Sequence, residues 1–322
     1  MPAPRVVLVG AGSMGSLHAR VTAQHAGADL VTIVDPRPAA GQALADRFGA
    51  SWRPELGDLA GIDAVIVAAA TEAHFDLARL VLEAGVPLLV EKPVTDRLEQ
   101  TVELLDLSAR RGVPMMCGLL ERYNPAMLTA RTAIENPIHI SGVRHSPYAP
   151  RIRTGVAWDL LVHDVDLALQ FLPGTVTDIE AVVGQFHPSS VPGAEDVVEA
   201  LLRSDSGAVA SISASRLSQH KVRSLVIREI DRLVDIDLLR RDVTIYRHVS
   251  GEAATPDGRG YRQQTIIEIP ELVTSQEPLA AQLDNFLGLV AGTVDADAER
   301  ASILPPHQVV ARVKEVAAAA TV

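Results

Sequence analysis

"RVVLVGAGSMGSLHAR", Arg5 to Arg20, decides the fold. A short β-branched run meets Gly10-x-Gly12-x-x-Gly15 and continues into a helix-compatible stretch. Three spaced glycines alone are weak evidence, and their position between a strand and a helix gives them weight. "LVTIVD" then supplies a second strand ending on Asp35, twenty residues after Gly15, which completes the pattern of a dinucleotide-binding turn. Gly10 permits the tight turn, Gly12 lets backbone approach a pyrophosphate, and Gly15 lets the helix pack closely. Ala11, Ser13 and Met14 complete the turn, and the helix N-terminus offers unpaired N–H groups to phosphate. An acid at Asp35 accepts ribose hydroxyls and repels a 2′-phosphate, which favours NAD. Arg37, able to hold that phosphate or stack on adenine, leaves NADP open.

Strands and helices then alternate. "IDAVIVAAA", "VPLLVEK" and "VPMMCGLL" read as strands, "EAHFDLARLVLEAG" and "DRLEQTVELLDLSARRG" as helices. Such alternation predicts a parallel sheet wound with helices, with ligands beyond the carboxyl ends of the strands. Asp35, Ala70, Thr71 and Glu91-Lys92-Pro93 all fall at such ends and belong on the cofactor face. His74 joins this set as a first-turn structural residue rather than a catalyst. The lone cysteine, Cys117, sits in an apolar strand and cannot form an internal disulfide.

"GVAWDLLVHDVDLALQFLPG", Gly155 to Gly174, predicts a largely buried helix over 157–172, closed by Pro173-Gly174. On α-helical spacing Asp159, His163 and Asp166 share one face. A buried acid beside an imidazole is costly unless both are paired or used. His163 is the candidate proton acceptor, with Asp159 orienting it or binding substrate. Asp164 points elsewhere, structural or solvent-facing. Metal ligation by this set with His145 lacks a ligand spacing, and no metal is expected.

The glycine turn, "EKP" at a strand end and Asp159-x-x-x-His163, in that order, resemble the Gfo/Idh/MocA oxidoreductases over nearly the whole chain. "GLLERYNPAM" and "YAPRIRTGVAWDLLVHDVDL" look most like the UDP-N-acetylglucosamine 3-dehydrogenase-type members. The resemblance implies that Lys92 is catalytic together with Asp159 and His163, and that the Lys92–Pro93 bond is cis. Ala69-Ala70 stands where the family often has Thr-Pro. The implied activity is hydride transfer between nicotinamide and a ring hydroxyl or ketone of a sugar or nucleotide sugar. Lys92 holds the oxygen and His163 moves the proton. The alternatives are a non-catalytic NAD(P)-sensing regulator on the same fold and an inositol or free-sugar dehydrogenase.

From about Pro137 the pattern becomes a meander of short strands, with a "SDSG" hairpin at Ser204 to Gly207. This predicts an N-terminal Rossmann domain over 1–121 and an α+β domain over 122–322 built on a large, mostly antiparallel open sheet. The final helix is free to pack back on the first domain. The helix from Ala157, "EPLAAQLDNFLGLVAG" and the closing helix cover the sheet only in part. An open sheet face suggests a homodimer or homotetramer. "SGEAATPDGRG" reads as a mobile tip or lid. Arg144, Arg151 and Arg153, with Arg122 and Asn124, suggest guanidinium forks for an anionic substrate such as a nucleotide-sugar diphosphate, and Tyr148 a stacking face. A net charge of −11 over 322 residues argues against nucleic acid as a partner. No apolar run is long enough to span a bilayer, and the expectation is a cytoplasmic protein.

Overall fold

In the computed structural model, residues 2–255 and 258–319 are described. The chain divides into two compact units, Met1–Tyr123 with Gln276–Ala311, and Asn124–Ser275 with Arg312–Val322.

The first unit is a six-stranded parallel sheet built from β1 (Arg5–Val9), β2 (Asp29–Val34), β3 (Ser51–Arg53), β4 (Ala64–Val67), β5 (Leu88–Val90) and β6 (Met115–Cys117). Its order is β3-β2-β1-β4-β5-β6. β4, β5 and β6 are buried at every position, which is why they read as unbroken apolar runs rather than alternating ones. The crossovers are helices α1 (Ser13–Gln24), α2 (Pro38–Phe48), α3 (Thr71–Glu83) and α4 (Leu98–Arg111). Gly49 and Gly112 end α2 and α4 in the left-handed conformation at φ 72° and 63°, where a side chain would be strained.

A fifth helix, α5 (Pro125–Ala133), and α6 (Val162–Leu169) belong to the second unit, whereas α7 (Pro278–Val290) returns to the first. Leu279, Leu283, Phe286 and Leu289 on one face of α7 are buried in a core with Val6, Leu8, Ile33 and Ile66. That burial contributes about 1.5–3 kcal/mol per side chain. Thus "EPLAAQLDNFLGLVAG", expected to help cover the antiparallel sheet, serves the parallel one. The last helix, α8, spans Ala296–Ala319.

The second unit is an eight-stranded sheet of β7 (His139–His145), β8 (Val176–Gly184), β9 (Val197–Ser204), β10 (Val209–Ser215), β11 (Val222–Arg228), β12 (Arg232–Asp237), β13 (Asp242–Thr255) and β14 (Gly258–Glu268). The order β14-β13-β12-β11-β7-β10-β9-β8 departs from a plain meander: β7 inserts between β10 and β11 and runs parallel to β10. A parallel neighbour needs a long crossover, and the segment containing α6 supplies it. Alternating burial along β9 turns Val198, Ala200 and Leu202 inward and leaves Glu199 and Leu201 outward. The β9–β10 connection is the expected hairpin, with Gly207 at φ 86°. The expected mobile stretch after Ser250 is instead a continuation of the β13–β14 ladder, paired as far as Thr255↔Gly258. Backbone pairing needs no side-chain signal, so Gly and Ala hid it. The tip, Pro256-Asp257, lies outside the described residues. Among the described residues no helix is long and apolar enough to cross a membrane.

Candidate active site

In the first unit the strand order reverses between β1 and β4, where such sheets open a crevice at the strand ends. Gly10 ends β1 at φ 106°, and a Cβ there would stand 2.4 Å from the Ala68 carbonyl oxygen. A Cβ on Gly15 would stand 1.9 Å from the Gly10 carbonyl oxygen, so α1 closes on the turn itself. A Cβ on Gly12 would meet nothing within 4 Å, and Gly12 caps α1 with no side-chain hydrogen bond and no acid in the first turn. Two glycines are therefore required by contact inside the turn, and the third faces open space at a helix N-terminus. That arrangement fits a dinucleotide pyrophosphate. Ser13 is exposed beside it, whereas Met14 packs on the apolar core.

Asp35 is 3% exposed and accepts four hydrogen bonds. Oδ1 takes the Arg37 backbone N–H (2.9 Å) and Nε (2.9 Å), and Oδ2 takes the Ala11 N–H (2.7 Å) and Arg37 Nη2 (2.8 Å). The Arg37 guanidinium, ahead of the two backbone N–H groups and against the opposing effect of burial, holds the Asp35 pKa down at about 2.

The lysine loop leaves the carboxyl end of β5 in the same sheet. Glu91 N–H donates to the Val67 carbonyl (2.8 Å), and the Lys92–Pro93 bond is cis, as expected. Three buried histidines hold the residues flanking the half-buried Lys92. His18 of α1 lies 2.8 Å from a Glu91 oxygen. His74 of α3 places Nδ1 2.9 Å from the Pro93 carbonyl and Nε2 3.2 Å from that of Ala69. Burial lowers the His74 pKa and outweighs the opposing pull of those carbonyls, and a neutral ring, with a single N–H, donates to one of the two. His307 of α8 donates from Nδ1 to Ile303 (2.7 Å) and accepts the Val94 N–H at Nε2 (3.2 Å). Burial pushes its pKa down to about 4, which favours the uncharged ring that this pair of bonds requires. Ala70 is the N-cap of α3, and Thr71 begins the helix.

Arg122, expected among substrate-binding residues, instead fixes α8 within the same unit. It donates to Ser302 Oγ (2.6 Å) and the Ser302 carbonyl (2.9 Å) and lies 3.7 Å from Glu299.

In the second unit Asp159 lies on a π-helical turn, Ala157–Leu161, that runs into α6. The α-helical spacing that aligned Asp159 with His163 and Asp166 therefore holds only from Val162 onward. The helix also stops at Leu169, before the expected Leu172. Single π turns inside helices recur at functional sites. Asp159 and His163 are both half-buried, and Asp166 is buried and accepts from Gln170 Nε2 (3.2 Å). Arg216, one residue past β10, is 4% exposed; it lies 3.9 Å from Asp159 and donates to the Thr154 carbonyl (2.5 Å). Arg144, expected among the guanidinium forks for an anionic substrate, lies in β7 and pairs with Asp164 (2.6 and 3.3 Å), both fully enclosed. Asn124 is likewise structural, capping α5 through the Ala126 N–H (3.1 Å) and donating to the Leu238 carbonyl (3.0 Å). One face of Tyr148 is taken by His187, stacked at 3.5 Å. Arg151 and Arg153 are exposed.

His18, His307 and Arg216 were not singled out from sequence. A histidine three residues past the last glycine of the turn was a readable signal for His18. His307 and Arg216 lie far along the chain from the residues they hold.

Residues 4–119 match the oxidoreductase family NAD-binding Rossmann fold of the GFO/IDH/MocA group, and residues 127–228 match its C-terminal domain. The chain is 28% identical over 290 residues to UDP-N-acetylglucosamine 3-dehydrogenase from Acidithiobacillus ferrooxidans, covering 89% of this chain and 88% of that protein. A solved structure of that enzyme superposes with a TM-score of 0.85 at 25% identity over 98% of both chains. Inositol 2-dehydrogenase of Rhizobium meliloti is 28% identical over 261 residues, 74% of this chain and 79% of that one. With two family domains in order and a glycine cradle shaped for a dinucleotide, the chain belongs to the GFO/IDH/MocA oxidoreductases and is an NAD-dependent dehydrogenase.

Proposed function

We propose that the enzyme oxidises a ring hydroxyl of a sugar or nucleotide sugar, with a UDP-N-acetylhexosamine oxidised at C3 as the leading substrate. The observation that carries this reading is Lys92, held at the carboxyl end of β5 in the sheet whose switch point bears the glycine turn. Bound NAD supplies the hydride acceptor. Gly10, Gly12 and Gly15 shape its pyrophosphate site, and Asp35 faces its ribose. The Lys92 ammonium holds the substrate oxygen and stabilises charge developing on it. His163 takes the hydroxyl proton as general base and returns it when a ketone is reduced. Asp159 orients that imidazole, with Arg216 keeping the Asp159 carboxylate in place.

Lys92→Met and His163→Ala are expected to lower turnover about a hundredfold or more with far smaller changes in NADH affinity. Near wild-type turnover in either would remove the role given to that residue. A second reading, an inositol or free-sugar dehydrogenase, is favoured by the engagement of Arg122 and Arg144 inside the protein, which leaves Arg151 and Arg153 for a diphosphate. Relative turnover of UDP-N-acetylglucosamine, free hexoses and myo-inositol decides between the two. The outward residues Val182 and Leu201, 70% and 42% exposed, support a homo-oligomer formed through the large sheet. Sedimentation measures that directly.

A further inference from the structure

Glu91 takes no part in the chemistry above, yet it is a carboxylate only 6% exposed. Burying a charge is costly unless it is paired, and an apolar replacement often packs as well or better. Its surroundings are closely fitted. Oε1 lies 2.8 Å from His18 Nε2, and Oε2 accepts the Lys92 backbone N–H at 3.2 Å. A Cβ at Gly118, just past β6, would stand 2.7 Å from Glu91 Cδ and Oε2, so the carboxyl group fills the volume of a missing side chain. Burial acts to raise the Glu91 pKa, but His18 and Lys92 outweigh it and hold the carboxyl below its ordinary range. His18 is itself 1% exposed and lies on α1, three residues after Gly15. One carboxylate thus ties the pyrophosphate helix, the end of β6 and the backbone of Lys92.

We propose that His18 is a positioning residue: acting through Glu91 in the Gly118 niche, it fixes the Lys92 backbone relative to the glycine turn. The proposal rests on the assignment of Lys92 to the substrate hydroxyl. It predicts that losing the imidazole N–H loosens the lysine loop and slows turnover while cofactor and substrate still bind.

The test uses the full chain with His18→Ala, His18→Gln, Gly118→Ala and Lys92→Met. Glutamine supplies an N–H near the position of imidazole Nε2, and alanine at 118 evicts Glu91 without touching His18. Hydrogen exchange of a peptide covering 88–97 is read with and without NADH, alongside NADH affinity by fluorescence. Turnover is read with UDP-N-acetylglucosamine and myo-inositol. His18→Ala and Gly118→Ala should each speed exchange in that peptide about tenfold and lower kcat about tenfold. KM and the NADH Kd should stay within about threefold, and His18→Gln should restore protection and most of kcat, effects of a size expected for one lost charge-assisted hydrogen bond. Unchanged exchange in both His18→Ala and Gly118→Ala would overturn the proposal. So would a His18→Gln variant as impaired as His18→Ala, with exchange raised throughout the unit. Should Lys92→Met keep wild-type turnover, the lysine assignment fails; should it be inactive while His18→Ala is fully active with a protected loop, this inference alone fails.

Discussion

Lys92 sits in a loop whose flanking groups are held by three imidazoles, from His18, His74 and His307, whereas the helix bearing Asp159 and His163 is held by two guanidinium groups, from Arg144 and Arg216. The difference is chemical as well as topological. An imidazole changes charge within a few units of neutrality, and a guanidinium does not. A neutral imidazole also accepts hydrogen bonds, which lets His307 receive a backbone N–H that no arginine could satisfy. The loop is thereby fixed through its backbone by His74 and His307 and through the Glu91 carboxylate by His18, and the helix through guanidinium ion pairs. Mild acid should loosen the contacts made by His74 and His307, whose pKa values burial lowers, and leave the second intact until its carboxylates protonate.

The largest test of that contrast lies in the second unit. Arg144→Met removes the guanidinium from a fully enclosed Asp164 and should destabilise that unit by about 3–5 kcal/mol. Adding Asp164→Leu should recover most of the loss, because the pair can be replaced by apolar volume. Urea denaturation reads both variants. A cost below about 1 kcal/mol for Arg144→Met, typical of exposed pairs, would mean the helix is not held by this pair.

In the first unit, His307→Gln probes the opposite mechanism. The His307 pKa is lowered from 6.5 to about 4 in the folded chain, so the unfolded state binds the extra proton between those values. Stability from this group is complete above about pH 6.5 and is lost as pH falls towards 4. Linkage puts the loss at up to about 3 kcal/mol. The non-titrating variant should show a flatter decline of Tm between pH 6.5 and 4.5 than wild type. Equal slopes would mean that other groups control the acid response of this unit.

How much was legible follows the same division. The turn at Gly10, Gly12 and Gly15 and the strand-end positions of Asp35 and Lys92 were readable because turn geometry and strand ends force residue types within short stretches. The strands of the second sheet were readable from apolar runs and alternation except for the outer parts of β13 and β14, but β7 was misplaced, since a crossover length leaves no periodic mark. The internal partners of Arg122, Arg144 and Asn124 were hidden for a different reason. A buried guanidinium or amide and a ligand-binding one look identical until a partner such as Ser302, Asp164 or Leu238 is known. The π turn at Ala157–Leu161 was invisible because its residues suit an α-helix equally well.

The smallest expected effect concerns the rim of the glycine turn, where a guanidinium meets an acid in the first unit. Both Asp35 oxygens already accept two hydrogen bonds, which is all a carboxylate can take. A ribose hydroxyl can donate to Asp35 only after Arg37 releases one. The Arg37 side chain is 64% exposed, so water replaces its lost bonds at little cost. Arg37→Ala should therefore tighten NADH binding modestly, by about threefold, or under about 1 kcal/mol. Asp35→Ala should weaken it and narrow the gap between NADH and NADPH. Because the Asp35 pKa is depressed to about 2, the pair's share of stability is present above about pH 3.8 and lost as pH falls through 2. Wild type and Arg37→Ala should then converge in Tm at that acid limit. If Arg37→Ala instead weakens NADH, the guanidinium contacts the cofactor directly, and this arginine supports binding rather than competing with it.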